Sequence, residues 1–417
     1  MRGRRLLKLL TIAAFVAVSA TAAAAQAPPD TTAEATPQAG SQPPTRQAAI
    51  EQEQAAKAQV LHPYESNQAE RIFHRLDTVL TGGRPRWHPF FDNAYSGGGF
   101  TLGIGHVTYL SAYNYLDARA SYTFSGYKRA EVEFVAPRLF QRRGHLSVLG
   151  GWREATQVGF YGLGTDTSQD DRTNYLFQQP YLSGLLTVFP TRRYLMLGGG
   201  VEFSQWSQEP GEGSFPSVET VYTPATLPGL GAKVNYLHTQ GTVGFDWRPS
   251  PGYARRGGYY GVTVHDYNDG DDEFGFNLVE YDVIQHLPIL REAWVLSFRG
   301  RVQTASEKDG QQTPFFMLPA LGGGSSLRGY SSWRFRDQNS LLLQAEWRIM
   351  VNRYLDLAFF YDAGKVTSST SDLDLDGLKD DFGFGIRFHG PFATPLRVEL
   401  ARSREGLAFI FSSSAAF

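Results

Sequence analysis

Residues 353–364, RYLDLAFFYDAG, decide the fold class because apolar residues occupy every second position. Successive side chains of a β-strand point to opposite faces of its sheet. One face here would carry Leu355, Leu357, Phe359, Tyr361 and Ala363. The other would carry Tyr354, Asp356, Ala358, Phe360, Asp362 and Gly364. The segment therefore predicts a strand with one bulky apolar face and one face of small and acidic residues.

The same alternation recurs from about Phe90 to Phe417, most clearly in residues 338–349, 381–389 and 396–401. The apolar faces are bulky and aromatic, whereas the opposite faces hold glycines and closely spaced opposite charges. Lipid-facing strands of an outer-membrane barrel have this pattern, with polar groups in the lumen. We therefore predict an all-β fold, an antiparallel transmembrane β-barrel, and keep a soluble β-sandwich as the alternative.

The N-terminal region predicts export. Residues 1–25 combine basic residues, a short apolar stretch and Ala23-Ala24-Ala25, as in a cleaved signal peptide. A retained membrane anchor is the alternative. Residues 26–67 are rich in Ala, Pro, Thr and Gln and predict a disordered periplasmic linker. Helical spacing of apolar residues in 68–83 predicts a short amphipathic helix, and residues 84–417 are assigned to the barrel.

Composition excludes several classes of function. The chain has 417 residues, no cysteine, 39 basic and 41 acidic residues. It therefore has no disulfide or cysteine nucleophile, and its balanced charge does not favour nucleic acid. No G-x-S-x-G motif is present, so an outer-membrane hydrolase is disfavoured, and we predict no enzyme activity and no cofactor.

Strand parity predicts sixteen strands, since fifteen are clear and a barrel of this type has an even number. The weak stretch Trp87–Ala94 is the candidate first strand. Inner turns are expected near 137–144, 190–193, 249–257, 287–291, 351–353 and 390–395, several of them rich in arginine. Longer acidic outer loops are expected near 165–171, 209–219, 268–273 and 371–381.

A connection of more than thirty residues, between Gln303 and Gln338, interrupts this pattern. A loop of this length usually has a function, and its apolar start would not be stable in water. We expect it to enter the lumen and to bring Arg328 to the lumen-facing carboxylates Glu346 and Asp362, since a buried guanidinium needs such partners. An ordinary rim loop with a solvated Arg328 is the alternative.

Several motifs resemble the BamA/TamA superfamily of outer-membrane assembly and translocation barrels. LRGY (327–330) resembles its VRGF/Y signature, and FYDAG (360–364) resembles its F-x-D-x-G strand. QAEWR (344–348), GFGIRF (383–388), TPLRVELA (394–401) and FYGLGTDTSQDDRTNY (160–175) are similar to further family segments. The resemblance implies a 16-stranded barrel whose sixth outer loop enters the lumen. It also implies a lock formed by Arg328, Gly329, Tyr330, Glu346 and Asp362.

Family members that recruit unfolded clients carry periplasmic polypeptide-transport-associated domains, and we expect no room for one between Ala25 and Trp87. The resemblance implies a bacterial outer-membrane location and insertion or translocation of a protein or lipid client through a seam between the first and last strands. A passive channel or structural barrel is the alternative. Expected partners are outer-membrane lipids and lipopolysaccharide, and the chain is predicted to be monomeric.

Residues 372–377 follow the pattern D-x-D-x-D-G that opens a calcium-binding loop. Position twelve of that loop would be Gly383, so the closing bidentate glutamate is missing. A solvated acidic outer loop is therefore preferred to a metal site.

Overall fold

Sixteen strands form one antiparallel sheet in the computed structural model, which describes residues 45–60, 85–191 and 194–417. Each strand pairs with the next strand along the chain. β11 pairs with β14, because the long loop between them contributes β12 and β13 to a separate sheet. The strands of the sheet are β1 Trp87–Pro89, β2 Thr101–Tyr109, β3 Tyr115–Thr123, β4 Lys128–Arg138, β5 Gly144–Phe160, β6 Thr173–Val188, β7 Leu195–Pro210, β8 Lys233–Asp246, β9 Gly257–Asp269, β10 Phe276–Pro288, β11 Trp294–Glu307, β14 Asn339–Asn352, β15 Leu355–Thr367, β16 Lys379–Phe388, β17 Leu396–Ser403 and β18 Gly406–Ser412. The predicted all-β barrel and its sixteen strands are confirmed.

Two further short strands, β12 Ala320–Leu321 and β13 Phe335–Arg336, pair with each other inside the long loop. Helical structure in the described residues consists of α1 Arg46–Val60, a four-residue turn at Leu139–Arg142, and 3-10 turns at Gln169–Asp171, Val218–Thr220, Phe315–Met317 and Thr370–Asp372. None of the helices in these ranges is long and apolar enough to cross a membrane.

The predicted faces of residues 353–364 are confirmed in β15. Leu357, Phe359 and Tyr361 are exposed on the outer surface of the wall. Asp356 and Asp362, with the residues between them at alternate positions, are buried on the other side. This alternation gives the wall an apolar outer surface that suits lipid and places charged groups in the lumen.

The two ends of the sheet meet at a junction that we call the seam, formed by β18 on one side and by β1 and β2 on the other. β1 has three residues in the ladder and β18 has seven. Side chains make contacts across the seam: the rings of Phe100 and Phe411 lie 5.6 Å apart, and Ser413 Oγ donates to Asp92 Oδ1 at 3.0 Å.

The first strand is shorter than the predicted Trp87–Ala94, because the chain leaves the wall after Pro89 and turns into the lumen. Phe90 is buried there, with the guanidinium groups of Arg119 and Arg129 5.2 and 5.5 Å from its ring. These cation–π contacts stabilise an aromatic side chain inside the lumen. The strand prediction is therefore wrong for residues 90–94.

Hairpin connections lie at two ends of the barrel, which we call the inner and outer ends. The inner connections span 110–114, 139–143, 189–194, 247–256, 289–293, 353–354 and 389–395. The outer connections include the long segments 161–172, 211–232, 308–338 and 368–378. Six of these turns agree with those predicted from parity, and the turn at 110–114 was not predicted. Arg192 and Arg193 lie outside the described residues.

The outer half of the lumen contains a packed apolar core, although the sequence predicted a polar lumen throughout. Its buried members come from the outer parts of β5–β11 and from the loops above them: Phe160, Tyr175, Phe177, Trp206, Tyr236, Phe276, Phe315 and Phe316 are the large ones. The prediction is wrong for this half because lumen-facing positions here are aromatic. Packed aromatic rings exclude water from this part of the barrel.

A ten-residue connection, 247–256, forms a strap across the inner end towards the turn at 389–395. Ser250 Oγ donates to Phe392 O at 3.0 Å, and Thr394 Oγ1 donates to Gly252 O at 3.1 Å. Tyr253 Oη lies 2.7 Å from Asp356 Oδ2 and 3.0 Å from His389 Nε2. Burial, followed by the nearby Asp356 charge, raises the pKa of the Tyr253 hydroxyl, which therefore stays protonated and donates to Asp356.

The helix α1 lies in the segment predicted to be a disordered linker and belongs to a separate unit of the chain. Its sequence is rich in Ala, Gln and Glu, which are good helix formers, and Glu53 bonds to Lys57 one turn later. The prediction therefore differs from the structure over these fifteen residues. The predicted signal peptide and the predicted helix at 68–83 lie outside the described residues.

Candidate functional site

The loop 308–338 enters the lumen, and apolar side chains hold its distal part against the wall. Leu321, Leu327, Tyr330 and Phe335 of the loop are buried, and they pack with Leu342 and Val366 of the wall. The rings of Tyr330 and Phe335 meet edge to face at 5.1 Å. Burial of this cluster fixes the depth at which the following polar residues lie.

Two glycines make the tight turn that presents Arg328. Gly322 and Gly323 have φ angles of 116° and 93°, which residues with a Cβ rarely adopt. A Cβ on Gly322 would overlap the carbonyl oxygen of Ser331. The Gly323 amide donates to the carbonyls of Leu327 and Tyr330, at 3.1 and 3.0 Å, so the loop folds back on itself.

Arg328 is completely buried and bonds to carboxylates from three strands. Its Nε and Nη2 donate to the two oxygens of Asp362 at 2.6 and 2.7 Å, which is a bidentate pair. Its Nη1 lies 3.3 Å from both Glu346 Oε2 and Glu399 Oε1. The sequence anticipated Asp362 and Glu346 as partners, but it did not identify Glu399 as the third.

The environment of Arg328 keeps it charged. The guanidinium carbon lies 3.5 Å from the centre of the Phe360 ring, in cation–π geometry. Burial by itself lowers the pKa of the Arg328 guanidinium, but the hydrogen bonds and charge of Asp362, with Glu399 and Glu346, raise it above its ordinary value. The geometry is that of an ion pair and not of a proton-transfer site.

A second layer of arginines balances the remaining carboxylate charge. Arg387 donates to both oxygens of Glu346, and its Nη2 also lies 2.9 Å from Glu399 Oε1. Arg397 Nη1 donates to Glu399 Oε2 at 2.9 Å, and its Nη2 donates to the loop carbonyl of Gly324 at 2.8 Å. The loop is therefore bonded to β17 as well as to β14 and β15.

The two residues after Arg328 contact the last part of the sheet. A Cβ at Gly329 would lie 2.6 Å from Asp381 Cβ and 3.0 Å from Ser403 Cβ, so only glycine fits there without displacement. Ser403 Oγ donates to Gly329 O at 2.8 Å, and Tyr330 Oη donates to Asp380 O at 3.2 Å. The structure thus brings together all five residues of the predicted lock, while their role in function stays a prediction.

Asp381 lies beside this cluster, with the Gly329 amide and the Asp362 carboxyl as its polar neighbours. It is buried and directly opposite Asp362 in the β15–β16 register. Two carboxylates at opposed positions of neighbouring strands repel each other. No sequence pattern distinguished Asp381 from the exposed aspartates nearby.

The connection 161–172 packs against the base of the long loop. Gly164 N donates to Arg336 O at 2.9 Å. Arg334 Nη1 donates to Thr167 Oγ1 at 2.7 Å, and Lys379 Nζ lies 3.0 Å from Asp166 Oδ1. This connection lies within residues 160–175, which resembled a family segment, and it bonds to both the long loop and the start of β16.

The acidic motif at 372–377 does not form a metal centre in the structure. Lys365 Nζ bonds to the Asp374 carboxylate and lies 3.0 Å from Asp376 O. A lysine therefore takes the position that a cation would need. Across the described ranges, no group of three or more His, Cys, Asp or Glu side chains is placed to hold a metal ion.

Comparison with known protein families identifies the family of this chain. A family model described as the Omp85 superfamily domain matches residues 112–406, well over half of the chain. The chain belongs to the Omp85 superfamily. No match was found among functionally characterised proteins when whole sequences were compared.

Solved structures of two proteins resemble this Omp85 barrel. BamA from Haemophilus ducreyi lacking POTRA domains 1–3 aligns with a TM-score of 0.55 at 14% identity, over 79% of this chain and 68% of that one. CdiB from Escherichia coli aligns with a TM-score of 0.50 at 11% identity, over 79% of this chain and 59% of that one. At these identities the likeness supports the barrel fold.

Proposed function

We propose that this Omp85 barrel resides in the bacterial outer membrane and assists insertion or translocation of a protein or lipid client there. The observation that carries the proposal is the seam, where the end of the seven-residue β18 meets the segment between the three-residue β1 and β2 through side-chain contacts of Phe411 with Phe100 and of Ser413 with Asp92. Short end strands can share few ladder hydrogen bonds, so parting them costs less than parting a long pair such as β5 and β6.

The packed lumen supports the same proposal. Aromatic residues fill the outer half, and the strap 247–256 crosses the inner end. A client therefore has no wide path along the barrel axis, and the seam offers a lateral path into the lipid. The proposed partners are outer-membrane lipids, lipopolysaccharide and an insertion or translocation client. The chain is proposed to act as a monomer, without catalysing a reaction.

A disulfide across the seam tests the proposal. The chain contains no cysteine, so Asp92→Cys with Ser413→Cys would introduce a single possible pair at side chains that now touch. In a deletion strain we expect the reduced double variant to restore the outer-membrane proteome and lipid composition, and the oxidised variant to fail. Each single-cysteine variant is the matched control.

Full complementation by the oxidised, fully cross-linked barrel would overturn the proposal. So would an envelope that does not change when the protein is deleted. Loss of a defined set of barrel proteins would identify a protein client, whereas a shift in lipid asymmetry would identify a lipid client.

A further inference from the structure

Two consecutive residues of the long loop contact the two sides of the seam. Trp333 reaches the segment that follows β1, and Arg334 reaches the turn that joins β17 to β18. We propose that Trp333 and Arg334 form a latch that holds the outer end of the seam closed. The latch regulates the seam and therefore rests on the proposed function for its biological role, although its mechanical effect can be measured separately.

The Trp333 side of the latch is a stacked aromatic contact. The rings of Trp333 and Tyr95 lie 4.5 Å apart at an interplanar angle of 14°, and Tyr95 also contacts Phe177 of β6 at 5.1 Å. Trp333 Nε1 donates to Ser96 O at 2.9 Å. These contacts hold residues 90–99 inside the lumen, away from the position that a longer first strand would take.

The backbone at Trp333 is strained. Its φ angle is 63°, a left-handed conformation that costs free energy for a residue with a Cβ. Only contacts made in the folded loop can maintain this conformation. The indole contacts with Tyr95 and Ser96 are among those that can maintain it.

The Arg334 side of the latch is a buried ion pair. Arg334 Nε donates to Glu405 Oε1 and Oε2 at 2.8 and 3.1 Å, and its Nη2 donates to Thr167 O at 2.5 Å. The Arg334 side chain is 2% exposed, and that of Glu405 is 18% exposed. Charge-assisted bonds at such a buried position are stronger than those on the surface. Glu405 lies in the two-residue connection 404–405, so this pair holds the terminal hairpin.

Neighbouring bonds align the terminal hairpin with the loop. Ser403 Oγ donates to Gly329 O and accepts a hydrogen bond from Glu405 N at 3.1 Å. On the other side of the seam, Ser332 is adjacent to Gly97, where an added Cβ would lie 3.3 Å from Ser332 Cβ. Residues 329–334 therefore bridge both edges of the sheet, so the edges cannot part at the outer end while both contacts persist.

Amide hydrogen exchange in the purified full-length barrel tests the latch. We expect Arg334→Gln and Trp333→Ala each to raise the exchange rate of the β18 amides (406–412) and of residues 96–103 by about tenfold, because each variant removes one side of the latch and lets the seam open locally more often. Exchange in β7 and β8 is expected to stay unchanged. Arg404→Gln, at the exposed residue beside Glu405, is the matched control.

Further variants separate a latch from general misfolding. Arg334→Lys and Trp333→Phe keep the charge or the ring and should give smaller increases, and heat-modifiable gel mobility identifies the folded barrels. Glu405→Gln should reproduce Arg334→Gln, and the double variant should show no additional increase. Seam exchange that does not change in folded Arg334→Gln and Trp333→Ala, or that rises equally in Arg404→Gln, would overturn the latch.

The latch and the proposed function can fail independently. Faster seam exchange together with full complementation by the oxidised, cross-linked seam would support the latch and contradict insertion through the seam. Unchanged exchange together with loss of complementation on cross-linking would overturn the latch and leave the proposed function supported.

Discussion

Arg328 joins three carboxylates that belong to three different strands, β14, β15 and β17. Its Nε and Nη2 groups form a bidentate pair with Asp362, and the guanidinium lies against the Phe360 ring. The cluster therefore holds the loop and the wall together through one side chain. Removal of that side chain would leave buried negative charge without a partner.

We expect Arg328→Ala to destabilise the barrel by about 3–5 kcal/mol, the range measured when one partner of a buried ion pair is removed. The temperature at which folded gel mobility is lost should fall, and the loop should become sensitive to protease. Arg142→Ala, at an exposed arginine of an inner turn, is the control and should have no effect. An unchanged transition in Arg328→Ala would exclude a structural lock.

We expect Asp381→Asn to stabilise the barrel, because it removes a buried carboxyl group directly opposite the ion-paired carboxylate of Asp362. Opposed like charges on neighbouring strands cost roughly 0.2–1 kcal/mol, so the gain should be of that order. The same gel-mobility transition measures it. Asp362→Asn is the contrasting variant and should destabilise, since Asp362 is bonded to Arg328. A fall in stability for Asp381→Asn would show that the Asp381 carboxyl makes a net stabilising bond.

Sequence reasoning identified Arg328, Asp362 and Glu346 because alternation places the two carboxylates on the lumen face and the loop is long enough to reach them. It placed Glu399 on the same face without pairing it with Arg328. Which carboxylates pair with Arg328 depends on the strand register and on how deep the loop lies in the lumen. The alternation of apolar residues predicts neither of these. The same limit applies to Asp381, whose position opposite Asp362 is defined only by the strand register.

At the scale of elements, the long loop is held by steric fit as well as by charge. Gly329 lies where a Cβ would approach Asp381 Cβ to 2.6 Å. We expect Gly329→Ala to displace the loop and to increase its cleavage by protease while the strands stay folded. Gly199→Ala in β7 is the control, because a Cβ there meets no atom within 4 Å. Equal cleavage of the two variants would contradict this close fit.

The elements were predicted well where alternation was long and poorly where it was short. Strands such as β14 and β15 extend over 14 and 13 residues, and their faces could be read directly. The segment after Pro89 also contains regularly spaced apolar residues, but Phe90 and Tyr95 bind inside the lumen. α1 was missed because an exposed helix of polar residues has no apolar periodicity.

At the scale of the molecule, the lumen is divided into an outer apolar half and an inner charged half. Alternation along the strands predicts which residues face inwards. It does not predict that inward-facing aromatic residues of β6 and β7 pack with the loop residues Phe315 and Phe316. The topology, sixteen strands and the entry of the long loop followed from the sequence. The packed core did not, because it joins segments more than 100 residues apart.

The filled lumen predicts a low ionic conductance, which tests the alternative of a passive channel. In planar bilayers the purified barrel should show small and rare openings. Replacement of Phe315 and Phe316 by alanine should raise the conductance several-fold, because it opens the packed outer half of the lumen and leaves the Arg328 cluster in place. The Arg404→Gln barrel is the control. A large, steady conductance in the unaltered protein would favour the channel.

The unequal lengths of the strands have a consequence for the surrounding bilayer. β5 has 17 residues and rises about 56 Å when extended, whereas β18 has seven residues and rises about 23 Å, at roughly 3.3 Å per residue. β1, β2, β16 and β17 are also short, so the low part of the wall lies around the seam. In a membrane, lipids beside this low wall must shorten or tilt to cover it, because hydrophobic mismatch is relieved by local thinning. Acyl chains are then least ordered beside the seam, and under the proposed function we expect this to lower the barrier to client entry on the lipid side as well as on the protein side.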